Sequence, residues 1–170
     1  ITGPENSTRE RPANEKLYLN EKTGIFSKTG LTLDAVKGFQ KASKLGIGVM
    51  CQPIYREGVK TPEGVAMIPG VKLKKAIEQG LVSKEDAKKQ LDFIQKTLVD
   101  NKYAHCDIKP ANFVVVRMTS SSHSVVLIDN SDLSPFGQQR GVGTMGQNII
   151  HILQLFLPTD ADTDSMGFFV

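Results

Sequence analysis

Two apolar segments separated by a short polar one constrain the fold of this chain more than any other feature. Residues 112–117 and 125–129 contain runs of Val, Leu and Ile, and residues 119–124 between them are Thr, Ser and His. Branched apolar residues favour strands, and a polar turn of this length joins antiparallel neighbours. The sequence therefore predicts a β-hairpin whose two open ends, at Asn112 and Asp129, lie close together.

An amphipathic helix is predicted upstream of this hairpin. Four apolar residues recur at steps of three or four and form one stripe: Ala87, Leu91, Ile94 and Leu98. Ser83, three residues before Asp86, is suited to cap the start of this helix. A shorter helix is expected over 73–79, and a loop over 103–111 joins the long helix to the hairpin.

The chain before residue 69 favours strands around one helix. Residues 16–20 and 24–28 are predicted to form an antiparallel pair, and 48–55 and 64–68 are two further strands. Thr32 is a suitable N-cap for a helix over 33–45, which Gly46 would end. The order of elements predicts an α+β fold, β-rich in its N-terminal part and helical in its C-terminal part.

Charge and cysteine content bear on the class of protein. The 21 basic and 18 acidic residues are interspersed, so no basic patch indicates a nucleic-acid partner. Cys51 and Cys106 are the only cysteines, which argues against a disulfide framework and for a reducing compartment. The apolar run 149–157 is shorter than the ~20 residues that a membrane span needs. We expect a soluble protein with no nucleic-acid partner and no membrane span.

The loop before the hairpin carries the most informative motif. His105, Asp107, Lys109 and Asn112 fit the pattern His-x-Asp-x-Lys-x-x-Asn, which resembles the catalytic loop of protein kinases. The resemblance implies that Asp107 orients the acceptor hydroxyl and takes its proton, while Asn112 and Asp129 bind Mg²⁺ on the phosphates of ATP. The alternative is that these residues only cap turns and strand ends.

Three other residues of this loop have separate expected roles. Lys109 matches the lysine that neutralises the transferred phosphate in kinases acting on serine and threonine, so it is counted among the catalytic residues. His105 is expected to hold the backbone of the loop. Cys106 stands where many kinases have an arginine that pairs with a phosphorylated activation loop, so the resemblance implies activity without such phosphorylation.

A second stretch, residues 64–73, resembles the inter-lobe hinge of bacterial kinase-like proteins. The resemblance implies that the adenine of ATP bonds to the backbone near Met67 and Ile68. Lys28 is the candidate for the lysine that contacts the α- and β-phosphates, with Lys16 and Lys22 as alternatives. Its usual glutamate partner is missing, because the predicted helix 33–45 carries only Asp34 as an acid.

The chain departs from the kinase pattern in several places. No Gly-x-Gly-x-x-Gly loop precedes the strands, Asn130 and Ser131 replace the Phe-Gly that should follow Asp129, and no Ala-Pro-Glu follows. The resemblance therefore implies a reduced two-lobed protein-kinase-like fold in one domain. Its small antiparallel-sheet N-lobe would span 1–68 and its shortened helical C-lobe 69–170.

Kinases this short resemble effector proteins that bacterial pathogens inject into host cells by type III secretion, including the family that phosphorylates the host heat-shock-protein-90 chaperone. This resemblance implies a serine/threonine protein kinase that uses ATP and Mg²⁺ on a host protein, with that chaperone as a candidate, after secretion into the host cytoplasm. Two alternatives stay open. One is a small-molecule kinase of the aminoglycoside or choline type, and the other is a pseudokinase that binds partners without catalysis. Lys109 and Pro110 favour the protein-kinase branch, and the intact Asp107, Asn112 and Asp129 argue against a pseudokinase.

Overall fold

A computed structural model describes residues 15–105 and 107–135 of the 170-residue chain. Its first part is a four-stranded antiparallel sheet made of β1 (Lys16–Leu19), β2 (Phe26–Thr29), β3 (Cys51–Tyr55) and β4 (Pro62–Met67). The strand order is β1-β2-β4-β3, so β1 and β3 are the edges. Pro53 lies in the edge strand β3, as its missing N–H predicts. The predicted pairing of the first two strands is confirmed.

Helix α1 (Leu33–Lys44) packs on this sheet. The Thr32 hydroxyl accepts a hydrogen bond from the N–H of Ala35, and Gly46 follows the helix with a φ of 79°. Both signals were read from the sequence, and both ends of the helix are confirmed to within a residue. Gly38 faces inward, where an added Cβ would lie 2.3 Å from the carbonyl oxygen of Asn130. The helix can therefore approach residues 130–133 closely only because position 38 has no side chain.

Two more helices follow the first sheet. Helix α2 is Leu73–Glu78, and helix α3 is Lys84–Asn101, capped by the Ser83 hydroxyl, which accepts from the N–H of Asp86. The four residues of the predicted apolar stripe are all fully buried: Ala87, Leu91, Ile94 and Leu98. The stripe and its cap were therefore correctly predicted.

A second antiparallel sheet has the order β5-β7-β8, formed by β5 (Val71–Lys72), β7 (Phe113–Arg117) and β8 (His123–Leu127). Two short strands, β6 (Tyr103–Ala104) and β9 (Ser134–Pro135), pair with each other. The predicted hairpin is thus present as β7 and β8. Up to residue 135, the part of the chain after residue 68 contains both strands and helices.

The β7–β8 hairpin is buried on both faces. Successive side chains of a strand point to opposite sides, so its apolar residues divide between two hydrophobic clusters. Phe113, Val115, Val125 and Leu127 pack with α2 and α3, whereas Val114, Val116, Val126 and Ile128 pack with α1 and β4. The hairpin therefore joins the two cores, and its open end lies where they meet.

The described part of the chain is a mixed α+β structure with small antiparallel sheets and few helices. No helix within these residues is both long and apolar enough to cross a bilayer. Cys106 and the apolar run 149–157 lie outside the described residues.

Candidate functional site

The loop that carries the motif of residues 105–112, called the polar loop below, is folded around the side chain of Asn112. This side chain is completely buried, and its Nδ2 donates to the backbone carbonyl of Asp107 at 2.9 Å and to Asp107 Oδ2 at 3.0 Å. Both partners are acceptors, so the amide nitrogen must face them. The opposite amide atom, Asn112 Oδ1, is buried without a hydrogen-bond partner among the described residues.

The hairpin brings this loop to the end of β8. Phe113 pairs with Leu127, and the N–H of Ile128 donates to the backbone carbonyl of Asn112 at 3.0 Å. Asn112 and Asp129 therefore lie side by side although 17 positions apart in the chain. This is the juxtaposition that the hairpin pattern predicts.

His105 holds the loop, as its expected role requires. The backbone N–H of Asp107 donates to His105 Nδ1 at 3.2 Å, so that nitrogen carries no proton. The proton is then on Nε2, which lies 3.0 Å from Asn130 Oδ1, while Asn130 Nδ2 donates to the carbonyl of Leu127. Burial lowers the pKa of His105, so the neutral ring is favoured. The Asn130 that replaces phenylalanine thus ties the loop to β8.

Lys28 lies beside Asp129 in the interior. Its Nζ is 3.6 Å from Asp129 Oδ1 and 3.1 Å from Glu15 Oε1, and its side chain is 2% exposed. The ammonium makes no hydrogen bond of good geometry within the described residues, so its contacts with the carboxylates are ion pairs only. A buried ammonium with unused N–H groups is costly unless a further acceptor is provided.

The carboxylate of Asp107 lies between an ammonium and a second carboxylate. Lys109 Nζ is 3.7 Å from Asp107 Oδ1. Burial raises the pKa of Asp107, and the charge of Asp129 raises it further, while Lys109 and the hydrogen bond from Asn112 oppose the rise. The two carboxylates are therefore near enough for the charge of Asp129 to affect the pKa of Asp107.

Lys72 makes a hydrogen bond to the backbone of the loop, a contact that we did not predict. Its Nζ donates to the carbonyl of Ala111 at 2.6 Å, which fixes the turn just before Asn112. Burial and the positive charge of Lys109 lower the pKa of Lys72. Within the described residues, the cluster therefore contains three carboxylates, at positions 15, 107 and 129, with Lys28 and Lys109 beside them and Lys72 bound to the backbone of the loop.

The donor set suits a hard divalent cation. Mg²⁺ is bound through one or two carboxylates with other ligands supplied by substrate phosphates and water. Asp129 offers a carboxylate, and Asn112 offers the buried Oδ1 that has no partner. Within the described residues, no group of three or more His, Cys, Asp or Glu could hold a metal by itself. Among the described residues, this pair of donors would suit a cation that takes its other ligands from a bound phosphate and water.

Met67 is the last residue of β4, and Ile68 follows it. Met67 is buried and pairs with Phe26 and Cys51, and Ile68 packs against the same apolar cluster. The segment 68–70 connects the first sheet to β5 of the second. Met67 and Ile68 therefore lie at the start of the segment that connects the two sheets.

A cavity of about 370 Å³ lies on another part of the surface. It is lined by Asp34, Lys37 and Lys41 of α1, by Tyr103 and by residues 133–135. None of Lys28, Asp107, Asn112 and Asp129 lines it, so it is not part of the charged cluster. Asp34, the only acid of α1, faces this cavity and not Lys28.

The acid that lies closest to Lys28 was not predicted. We expected it on the first helix, but it is Glu15, directly before β1. In the structure Glu15 has the same strand parity as Leu17, which lies opposite Lys28, but the predicted strands 16–20 and 24–28 would have placed Lys16 opposite Lys28, so their pairing gave no signal for Glu15. A scan against models of protein families finds no match to this chain, and a search of curated proteins finds no significantly similar sequence.

Proposed function

We propose that the protein is an ATP-dependent phosphotransferase, and more specifically a serine/threonine protein kinase with a reduced two-lobed kinase-like fold. One observation carries the proposal: Lys28, Asp107, Asn112 and Asp129 come from three separate segments and meet at one buried cluster. Ion pairs with incomplete hydrogen bonding and an amide oxygen without a partner are unfavourable in a protein interior. They suit a site whose remaining partners belong to a metal-bound polyphosphate.

The residues of the polar loop would act on the acceptor. The acceptor hydroxyl oxygen forms a bond to the γ-phosphorus of ATP, while the bond from that phosphorus to the β–γ bridging oxygen breaks and ADP leaves. The hydroxyl proton passes to the carboxylate of Asp107, whose raised pKa makes it a stronger proton acceptor. Lys109, beside that carboxylate, would stabilise the charge on the transferred phosphoryl group.

The residues behind the loop would act on the nucleotide. Asn112 and Asp129 would hold Mg²⁺, which when bound neutralises charge on the phosphates. Lys28 would donate its unused N–H groups to phosphate oxygens. The backbone of Met67 and Ile68 would bind the adenine, a role supported by their position at the passage between the two sheets.

The two hydrophobic clusters support the two-lobed arrangement. One cluster joins α1 and the first sheet to one face of the hairpin, and the other joins α2 and α3 to its opposite face, so the hairpin and segment 68–70 both connect them. We further propose a protein acceptor in a host cell, with a host chaperone as the first candidate. This rests on the position of Lys109 and on the sequence resemblance.

The experiment is incubation with Mg²⁺ and γ-labelled ATP, with and without host-cell lysate. Asp107→Ala and Asp129→Ala are compared with wild type, and Asp92→Ala, an exposed change on α3, is the matched control. Label should appear on protein with wild type and with Asp92→Ala, and it should fall by a factor on the order of 10² to 10⁴ in Asp107→Ala. Label on small molecules alone would favour the small-molecule alternative, and no label with any substrate would reject the proposal.

A further inference from the structure

Lys28 has two acidic neighbours, Asp129 and Glu15, which differ in their distance from its ammonium and in their proposed roles. Asp129 Oδ1 is 3.6 Å from Lys28 Nζ and also accepts a hydrogen bond from the Ser131 hydroxyl at 3.2 Å. Glu15 Oε1 is closer, at 3.1 Å, and its side chain is 1% exposed. Under the proposed function Asp129 is a metal ligand, so Glu15 is the acidic neighbour of Lys28 that does not also bind the metal.

The hairpin of the first sheet explains how Glu15 reaches Lys28. Leu17 lies directly opposite Lys28 in the β1–β2 pair, and Glu15 is two residues earlier on the same strand face. Such a diagonal neighbour is within reach of long side chains across an antiparallel pair. Both partners therefore belong to one hairpin, and their contact is set by its register.

Helix α1 contributes a different kind of contact. The ring of Phe39 lies 5.9 Å from Lys28 Nζ, so the helix presents an aromatic face to the ammonium. Phe39 is fully buried between the helix and the sheet. In the described structure the carboxylate contacts of Lys28 thus come from the hairpin and from Asp129, and not from this helix.

We infer that Glu15 is the positioning residue for Lys28, which it holds toward the phosphates from within the β1–β2 hairpin. This inference rests on the proposed function, because the phosphates are those of the nucleotide. It has a physical consequence for regulation. Where a helix supplies the acid, moving the helix can break the ion pair; here the glutamate and the lysine come from the same hairpin segment. The contact between Lys28 and Glu15 therefore does not require α1 to supply an acid.

The ion pair can be tested first without nucleotide. Glu15→Gln, Lys28→Met and the double variant are unfolded in urea, with Glu21→Gln, an exposed change in the turn of the same hairpin, as the matched control. Glu15→Gln leaves a buried ammonium poorly compensated, so its unfolding constant should rise by a factor on the order of 10² to 10³. In the Lys28→Met background the same change should have a much smaller effect.

The second measurement is the affinity for Mg²⁺-ATP and the steady-state split between KM and kcat. Glu15→Gln should raise KM for ATP and weaken nucleotide binding by roughly 10- to 100-fold, the value of one charge-assisted hydrogen bond. Glu15→Asp keeps the charge on a shorter side chain, so its effect should be intermediate. Adding Glu15→Gln to Lys28→Met should weaken binding no further.

The outcomes separate this inference from the proposed function. If wild type binds ATP and Lys28→Met does not, but Glu15→Gln binds as wild type does, the inference is overturned and the phosphotransferase proposal stands. Additive effects of Glu15→Gln and Lys28→Met on unfolding would also overturn it, since they would show no coupling. If the stability coupling is present but wild type binds no nucleotide, the proposed function fails and the ion pair remains as a structural feature.

Discussion

Replacement of Gly38 by alanine tests the packing of α1 against the segment that carries Asp129. Gly38 lies within a helix, where alanine is ordinarily better by about 1 kcal/mol. Helix propensity alone therefore predicts that Gly38→Ala stabilises the protein. The structure predicts the opposite sign, because the added Cβ would lie 2.3 Å from the carbonyl oxygen of Asn130 and 3.3 Å from that of Ser131.

The size of the stability change in Gly38→Ala depends on which atoms can move to relieve the clash. Ordinary contact for a Cβ begins near 3.4 Å, so the helix and residues 130–133 must separate by about 1 Å. The clashing atoms belong to the backbone and cannot rotate away as a side chain would. Overpacking of this kind costs about 1 to 3 kcal/mol. Because backbone atoms clash, we take the cost near the upper end of that range, about 3 kcal/mol. After the gain of about 1 kcal/mol in helix propensity, the free energy of unfolding should fall by about 2 kcal/mol.

The assay is urea unfolding followed by far-UV circular dichroism, which suits a chain that has no tryptophan. Gln40→Ala, an exposed change in the same helix, is the control and should alter stability by no more than about 0.5 kcal/mol. Because Asn130 also bonds to His105, Gly38→Ala should weaken nucleotide binding as well. A Gly38→Ala protein that is more stable than wild type would refute the close approach of α1.

Two further predictions concern titrating groups. Burial raises the pKa of the Cys51 thiol to about 11, so its alkylation near pH 8 should be slower than that of a free thiol by a factor on the order of 100. The rate is measured by peptide mapping, which separates Cys51 from Cys106. Alkylation of Cys51 in the native protein as fast as that of a free thiol would contradict this prediction. Burial lowers the pKa of His105 below its unfolded value, so the unfolded state binds more protons and stability should fall as pH drops below about 6.5 through the folded pKa. His105→Gln should flatten that part of the stability curve, and an unchanged slope would show that His105 is not the group responsible.

The parts of the fold that are specified locally could be predicted from the sequence. The caps at Thr32 and Ser83 act within three residues, and the stripe of α3 follows from helical geometry alone. The hairpin could be predicted because its strands are separated only by a polar turn. These elements place Asn112 beside Asp129, so much of the candidate site follows from local patterns.

The rest depends on contacts between distant segments. The role of Gly38 requires knowledge that α1 packs against residues 130–133, which no local pattern contains. Asn130 was read only as a departure from a motif, but its side chain bridges His105 and the end of β8. Glu15 was not predicted because the acid was expected on a helix, and because its position beside Lys28 depends on a hairpin register that differs by one residue from the pairing of the predicted strands.

The most direct test of the proposed site is binding of Mn²⁺, in place of Mg²⁺, together with a non-hydrolysable ATP analogue, followed by electron paramagnetic resonance. Asn112→Leu and Asp129→Asn remove proposed metal ligands, whereas Asp107→Asn alters the group that faces the acceptor. The account predicts that wild type and Asp107→Asn bind the metal-nucleotide pair with similar affinity, and that the other two bind at least roughly 10-fold more weakly. If wild type binds no metal with nucleotide, or if loss of Asn112 and Asp129 leaves binding unchanged, the proposed site is wrong.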